Sequence, residues 1–409
     1  MDRLVNVVRP YAWGSTTALP ELLGVAPTGE PQAEMWLGAH PGAPSRTPRG
    51  PLDEVIAAAP EGELGAATVG RFGPRLPFLL KLLAAGAPLS LQVHPDLARA
   101  RQGYADEERR GVPLDAAERN YKDANHKPEL ICALTPFEGL CGFREPRGTA
   151  LLLESLGVDA LKPYVDLLRA GPVEAALRET LTAVLGADRA STDETVSAVA
   201  AACARLAGDA TAAGEVRAAC AAYASIARHC PGDPGVLAAM LLDHVRLEPG
   251  EALFLGAGVP HAYLSGLGVE IMANSDNVLR CGLTPKHVDV PELLRVVRFE
   301  ATGPGVLRPA RAVGGEEVYA TPVDEFRLSR FVRAKGAGSR SAHDLTTATA
   351  QILLCTGGEL YADADGGAER LAPGQAVFVP AGERIAVSGA GTFFQATVAA
   401  VETEFAVGS

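Results

Sequence analysis

Apolar positions follow three rhythms along the chain. Roughly the first hundred residues show short apolar runs broken by Gly and Pro, the pattern of strands, tight turns and a few helices. Two of these runs carry polar residues. Arg75-Leu-Pro-Phe-Leu-Leu-Lys81-Leu-Leu holds a lone lysine, and Pro88-Leu-Ser90-Leu-Gln92-Val-His94-Pro95-Asp96 alternates. Side chains alternate between the faces of a strand, so Ser90, Gln92 and His94 share one face, opposite Leu89, Leu91 and Val93. Arg99 to Glu118 reads as surface helix and loop, after which a polar turn feeds an apolar strand whose first residue is Glu129. From Leu151 to Cys230 the spacing becomes helical. Leu177, Leu181, Val184 and Leu185 form one stripe, Val196, Val199, Cys203 and Leu206 a second, and Val216, Cys220, Tyr223 and Ile226 a third. Ser191 with Glu194 predicts a capping box for the middle helix, and Pro231-Gly-Asp-Pro-Gly stops the last. These stripes predict core and no chemistry.

The strand rhythm then returns, twice. Pro249-Gly-Glu-Ala-Leu-Phe-Leu-Gly-Ala-Gly-Val-Pro-His261 matches Pro373-Gly-Gln-Ala-Val-Phe-Val-Pro-Ala-Gly-Glu-Arg-Ile385 in register. Two copies in one chain predict two related β-barrels. His261 in the first copy faces Ile385 in the second, so the second is expected to be structural. Between Pro249 and Pro291 the first copy also gathers Glu270, Asn274, Asp276, Asn277, Arg280, Lys286 and His287 among apolar and turn residues. Polar groups on strands with tight turns stand on a rigid wall, where binding and catalysis concentrate.

Composition narrows the classes. A chain of 409 residues exceeds one ordinary domain. A formal net charge of −12 argues against nucleic acid or an anionic membrane surface as partner, while local Lys and Arg can still hold one phosphate. The opening MDRLVNVVRPYAWG has no long apolar core of a signal peptide, and Leu76 to Val93 is interrupted by Lys81, Gly86 and Pro88, so neither secretion nor a membrane span is expected. Seven cysteines without paired spacing read as reduced core residues of a cytoplasmic protein.

Gln92, His94, Glu129 and His261 come from three separate strand-like segments. Two imidazoles and a carboxylate are the donor set of catalytic zinc, and a neutral Gln would leave the centre net positive and Lewis-acidic. The competing reading makes both histidines hydrogen-bonded core residues and Glu129 a salt-bridge partner; spacing alone leaves both open. Arg280 and Lys286, set among apolar residues, need internal carboxylates or a bound anion. A lone lysine such as Lys81 commonly snorkels to the surface.

The strings LSLQVHPD, NHKPEL, GVPHAYLSG and NSDNVLRCGLTPKHVDVPEL, with YAWGS and AEMWLGAHPGAPS nearer the start, resemble type I mannose-6-phosphate isomerases (phosphomannose isomerases) from end to end, least so in the helical stretch. The resemblance implies a mainly β fold of two cupin-type (jelly-roll) barrels with an inserted α-helical domain. The expected boundaries are 1–147 and 236–320 for the catalytic barrel, 148–235 for the insert and 321–409 for a metal-free barrel. It implies interconversion of mannose 6-phosphate and fructose 6-phosphate through a cis-enediol, by a monomer with one zinc ion per chain and no protein partner. Gln92, His94, Glu129 and His261 would hold the zinc. Arg280 would lie at the reacting carbons, with His126, Lys127 and Asp276 for proton handling. Ser90, Lys81, Lys286 and Glu270 would bind substrate. The rival readings are another metal-dependent cupin enzyme, such as an iron dioxygenase or a different sugar isomerase, and a non-catalytic sugar-binding bicupin. Ala124 stands where the family has proline and Cys281 where it has glycine. The first is expected to loosen a turn, and the second puts the backbone beside Arg280 in doubt.

Overall fold

A computed structural model describes residues 1–312, 315–334, 342–365 and 367–399. An 11-stranded sheet carries the first half of the fold. Its spine runs Ala252–Leu255, Glu129–Ala133, His261–Ala273, Phe78–Ala85, Glu34–Leu37, all antiparallel. Every residue of Phe78–Ala85 is buried, Lys81 included, which explains why the rest of its sequence is apolar: both faces of this strand are covered. One face, with Leu80, Leu82, Leu130, Val269 and Ile271, packs on Ile352, Leu354, Phe378 and Phe394 of a second sheet in a single shared core. The other face holds the row Ile131, Glu270, Lys81, Trp36 across four neighbouring strands. Polar residues on this buried face are what the chain must explain.

The second, nine-stranded sheet repeats the spine: Ala376–Val379, Gln351–Ala364, Ile385–Thr397, Arg327–Arg333, Glu316–Tyr319. The offset is 124 positions both for Ala376 against Ala252 and for Ile385 against His261, and both long strands have 13 residues. Ile385 is fully buried among Leu353, Val377, Val379 and Phe393, so hydrocarbon fills the place that His261 occupies in the first copy. Membership of the sheets departs from sequence order at two points. The strand Asp2–Arg3 pairs with Val377 and Phe378, covering an edge of the second sheet. Ala310–Arg311 and Glu316–Tyr319 also belong to the second sheet, which therefore starts before the expected boundary at Thr321.

Between the two halves of the first sheet lie the helices Pro146–Ser155, Lys162–Arg169, Val173–Leu185, Arg189–Gly208, Gly214–His229 and Gly235–Ala239. Their stripes meet in one core with Leu91, Val93, Leu279 and Cys281. The middle helix begins earlier than its sequence predicts. Asp188 is the cap, its carboxylate accepting from the backbone N–H groups of Ala190 and Ser191, so Ser191 falls in the first turn. Aspartate caps a helix as well as serine does, and here it comes first. All seven cysteines are free thiols, six of them buried, and no described helix is long and apolar enough to cross a membrane.

Candidate metal centre

The strand Leu91–Val93 lies between the His261 strand and Leu279–Gly282, and cross-strand register aligns His261 with Gln92 and Gln92 with Arg280. Directly opposed residues in antiparallel strands project to the same side, so this row faces one space. Leu91 and Val93 point the other way, into the helical core. Glu129 opens its strand beside Leu255 and Met272 and reaches the same space. The chain comes to His261 through Gly258, which has φ +78°; its N–H donates to the His94 carbonyl at 2.8 Å. A Cβ there would run into the Arg298 side chain, so only glycine allows the approach.

One ligand atom from each of His94, Glu129 and His261 lies within 4.8 Å of the others, and all three residues are buried. His94 Nε2 is 3.4 Å from Glu129 Oε1, and His261 Nε2 is 3.5 Å from Glu129 Oε2. The terminal amide of Gln92 stands 3.4 Å from His261 Nε2; rotating that amide exchanges its oxygen and nitrogen, so either can face the cluster. Both imidazoles are oriented from behind. His94 Nδ1 bonds the Asn277 carbonyl at 2.8 Å and His261 Nδ1 the Val259 carbonyl at 2.9 Å. A carbonyl only accepts, so each Nδ1 carries the proton and each Nε2 offers a lone pair forward. His94 Nε2 and Glu129 Oε2 nevertheless have no hydrogen-bond partner among the described residues. Buried polar atoms left this way are costly, and a cation accepting lone pairs from all of them removes the cost.

The charges agree. Burial drives the His94 imidazole down to about 4, against the pull of Glu129, so the ring stays neutral and able to ligate. Burial alone would raise the Glu129 carboxyl, but the charge of Lys127, with its Nζ at 3.2 Å, holds it well below the usual range. Arg280 is half-buried and has no ion pair or side-chain hydrogen bond among the described residues; burial lowers its guanidinium from the ordinary value. An unmatched cation therefore shares a wall with the donor set. Cys281 occupies a bulge after Arg280 and is buried with the helices, so it does not crowd the arginine.

A profile of the phosphomannose isomerase type I catalytic domain matches residues 1–146. Mannose-6-phosphate isomerase of Salmonella typhimurium is 41% identical over 390 residues, spanning 94% of this chain and 95% of its own. The Escherichia coli protein is 39% identical over the same shares. The chain belongs to the mannose-6-phosphate isomerase family. Among solved structures of this family, the apo form from Salmonella typhimurium gives a TM-score of 0.87 at 38% identity, covering 97% of this chain and 99% of that one. A mannose 6-phosphate isomerase bound with zinc and yttrium gives 0.86 at the same identity and coverage.

Other residues expected at an isomerase site fall into place unevenly. Lys81 does not snorkel: its ammonium is buried 2.8 Å from Glu270 and 3.6 Å from Glu34, beneath the Trp36 ring. Of the two ways to satisfy such a cation, the structure shows internal carboxylates, Glu270 and Glu34. Burial opposes the Lys81 charge, yet Glu270, Glu34 and Glu129 raise it above its ordinary value. Glu34 had no signal of its own; its alternation with Trp36 beside a lysine-bearing strand was the available clue. Lys81→Met should destabilise the fold by about 3–5 kcal/mol by stranding two buried carboxylates. The denaturation midpoint should recover in large part when Glu270→Gln is added.

His126 Nε2 is held at 2.5 Å by Glu325 Oε1, from the bend just before the strand Arg327–Arg333. Asp276 is exposed and lies 3.4 Å from His40 Nε2; that hydrogen bond lowers its carboxyl, which stays ionised. His40 is buried edge-on to Trp36, and its Nδ1 accepts from the Gly42 N–H, which leaves the Nε2 proton for Asp276. It was missed because a single His beside a turn carries no spacing signal. Lys286 and His287 are exposed, and Ser90 is half-buried without a side-chain hydrogen bond among the described residues. Asn277 is fully buried and binds backbone: its amide accepts from Lys122 N and donates to the carbonyls of Asp123 and Asn125. The turn bearing Ala124 is thereby tied down without proline.

Proposed function

We propose that this chain is a zinc-dependent aldose–ketose isomerase interconverting mannose 6-phosphate and fructose 6-phosphate through a cis-enediol. The observation that carries this is the convergence of two imidazole Nε2 atoms and a carboxylate, each imidazole locked from behind, beside an arginine unpaired among the described residues. His94, Glu129 and His261 hold the zinc, with Gln92 as the fourth donor. When bound there, zinc supplies Lewis acidity toward a sugar carbonyl or hydroxyl oxygen.

The chain's own residues supply the rest. Isomerisation moves a proton between C1 and C2 of the open sugar and builds negative charge on an enediolate oxygen. Arg280, in register with Gln92, faces that charge with a cation already stripped of part of its water. Lys127, His126 and Asp276 are the groups that take and return the carbon-bound proton. Ser90 and Lys286 hold the phosphate, and Lys81 with Glu270 forms the buried floor beneath the sugar.

The two sheets form two cupin-type barrels of one duplicated unit, the second without metal because Ile385 replaces the histidine. The domains divide as a catalytic barrel from 1–147 and 236 onward, a helical insert at 148–235, and a C-terminal barrel that also takes in the strands from Ala310. The protein acts as a cytoplasmic monomer. A coupled assay with mannose 6-phosphate tests the proposal. Turnover should vanish on incubation with a chelator and return with stoichiometric zinc; chelator-resistant turnover would refute the metal's role.

A further inference from the structure

The profile that matches the catalytic domain ends at residue 146, yet a carboxylate from the bend between two strands of the second sheet reaches the loop that leads to Glu129. Glu325 stands just before the strand Arg327–Arg333, 199 positions from His126 in sequence. Its neighbours fix it on both sides. Asp324 pairs with Arg71 of the helix Ala66–Phe72, and Phe326 is fully buried in the core that the two sheets share. The opposite side of the His126 loop is tied as well, since Asn125 donates to the Asn274 carbonyl at 3.1 Å. His126 therefore sits on a loop clamped between both sheets.

We propose that Glu325, in the metal-free half, is a positioning residue for the isomerisation, fixing the rotamer and tautomer of His126. Burial would raise the Glu325 carboxyl, but the His126 bond and nearby backbone N–H groups keep it lowered and ionised. An ionised carboxylate only accepts, so the imidazole proton stays on Nε2 and the lone pair of the neutral ring is on Nδ1. The same logic orients the histidine of a Ser-His-Asp triad, where the acid acts through the ring and touches no substrate. The second half of the chain is then part of the working site and more than a scaffold. This inference rests on the reading of His126 as a proton-handling group.

The test compares Glu325→Ala and Glu325→Gln with Asp324→Asn, a control that weakens only the neighbouring ion pair. Glu325→Ala should lower kcat roughly 10- to 100-fold, by analogy with the range found when the outer partner of a metal-ligating histidine is lost. KM, zinc content and melting temperature should stay at wild-type values, and the amide oxygen of Glu325→Gln should restore part of the rate. Ring ¹⁵N spectra of the zinc-loaded protein should show His126 protonated at Nε2 in wild type and mixed between nitrogens in Glu325→Ala. Wild-type kcat in Glu325→Ala, or a rate loss matched by lost zinc or lost melting temperature, would overturn the proposal. If wild type itself does not turn over mannose 6-phosphate, the functional reading fails. The ring spectra then decide the His126–Glu325 pairing independently, an unchanged tautomer in Glu325→Ala ruling it out.

Discussion

Replacing His261 with alanine is expected to remove bound zinc and turnover together. His261 is one of two imidazoles in the donor set, and its Nε2 lies 3.5 Å from Glu129 Oε2. No other side chain in the row can replace it, because its cross-strand neighbours are Gln92 and Cys141, and the Cys141 thiol is pushed up to about 12 by burial and is not available as thiolate. Zinc content by metal analysis should fall from one ion per chain to background. A readout independent of activity follows from linkage: ligand binding to the folded state raises the melting temperature. Wild type should melt lower after chelation and recover with zinc, whereas His261→Ala should melt at one temperature with or without it. A variant that still binds zinc stoichiometrically would show that the cluster is a hydrogen-bonded core.

Arg280→Ala should behave in the opposite sense, retaining zinc while losing kcat. The guanidinium has no ion pair among the described residues, so its removal strands no carboxylate and should leave stability nearly unchanged. Its charge matters only when negative charge develops opposite it. Loss of one well-placed donor to such charge costs about 2.7–4 kcal/mol, or roughly 100- to 1,000-fold in kcat. Arg280→Lys should recover little, because an ammonium on a shorter, flexible stem does not reproduce the planar fork. Steady-state kinetics on zinc-loaded protein separates the outcomes. An equal rise in KM with kcat intact would make Arg280 a binding residue, and normal kinetics would remove it from the mechanism.

Much of this was legible along the chain because the signals were local. The alternation through Ser90, Gln92 and His94, the duplicated Pro-Gly-x-Ala bend and the three helical stripes each depend on neighbours within a few residues. The exchange of His261 for Ile385 even marked where the second copy buries hydrocarbon in place of an imidazole. Less local features were misread or missed. Lys81 showed along the chain only as a lone lysine in an apolar run, because its partners Glu34 and Glu270 come from other strands. Ser191 read as a cap because the serine–glutamate spacing is a common signature, but Asp188 is already in position three residues earlier. Glu325 carried no signal at all, since nothing in its own segment points to His126.

Sequence alone determined the periodicities, the duplication, the family and the residue types able to ligate a metal, because these are properties of short windows read in order. Tertiary structure alone decided which lone pairs meet, which lysine is already neutralised and which arginine is not. It also decided that Glu325, from a bend between strands of the second sheet, reaches His126. The physical reason is that side-chain charge and hydrogen-bond capacity are set by partners brought from distant strands, and antiparallel register places those partners face to face only once the sheets have formed.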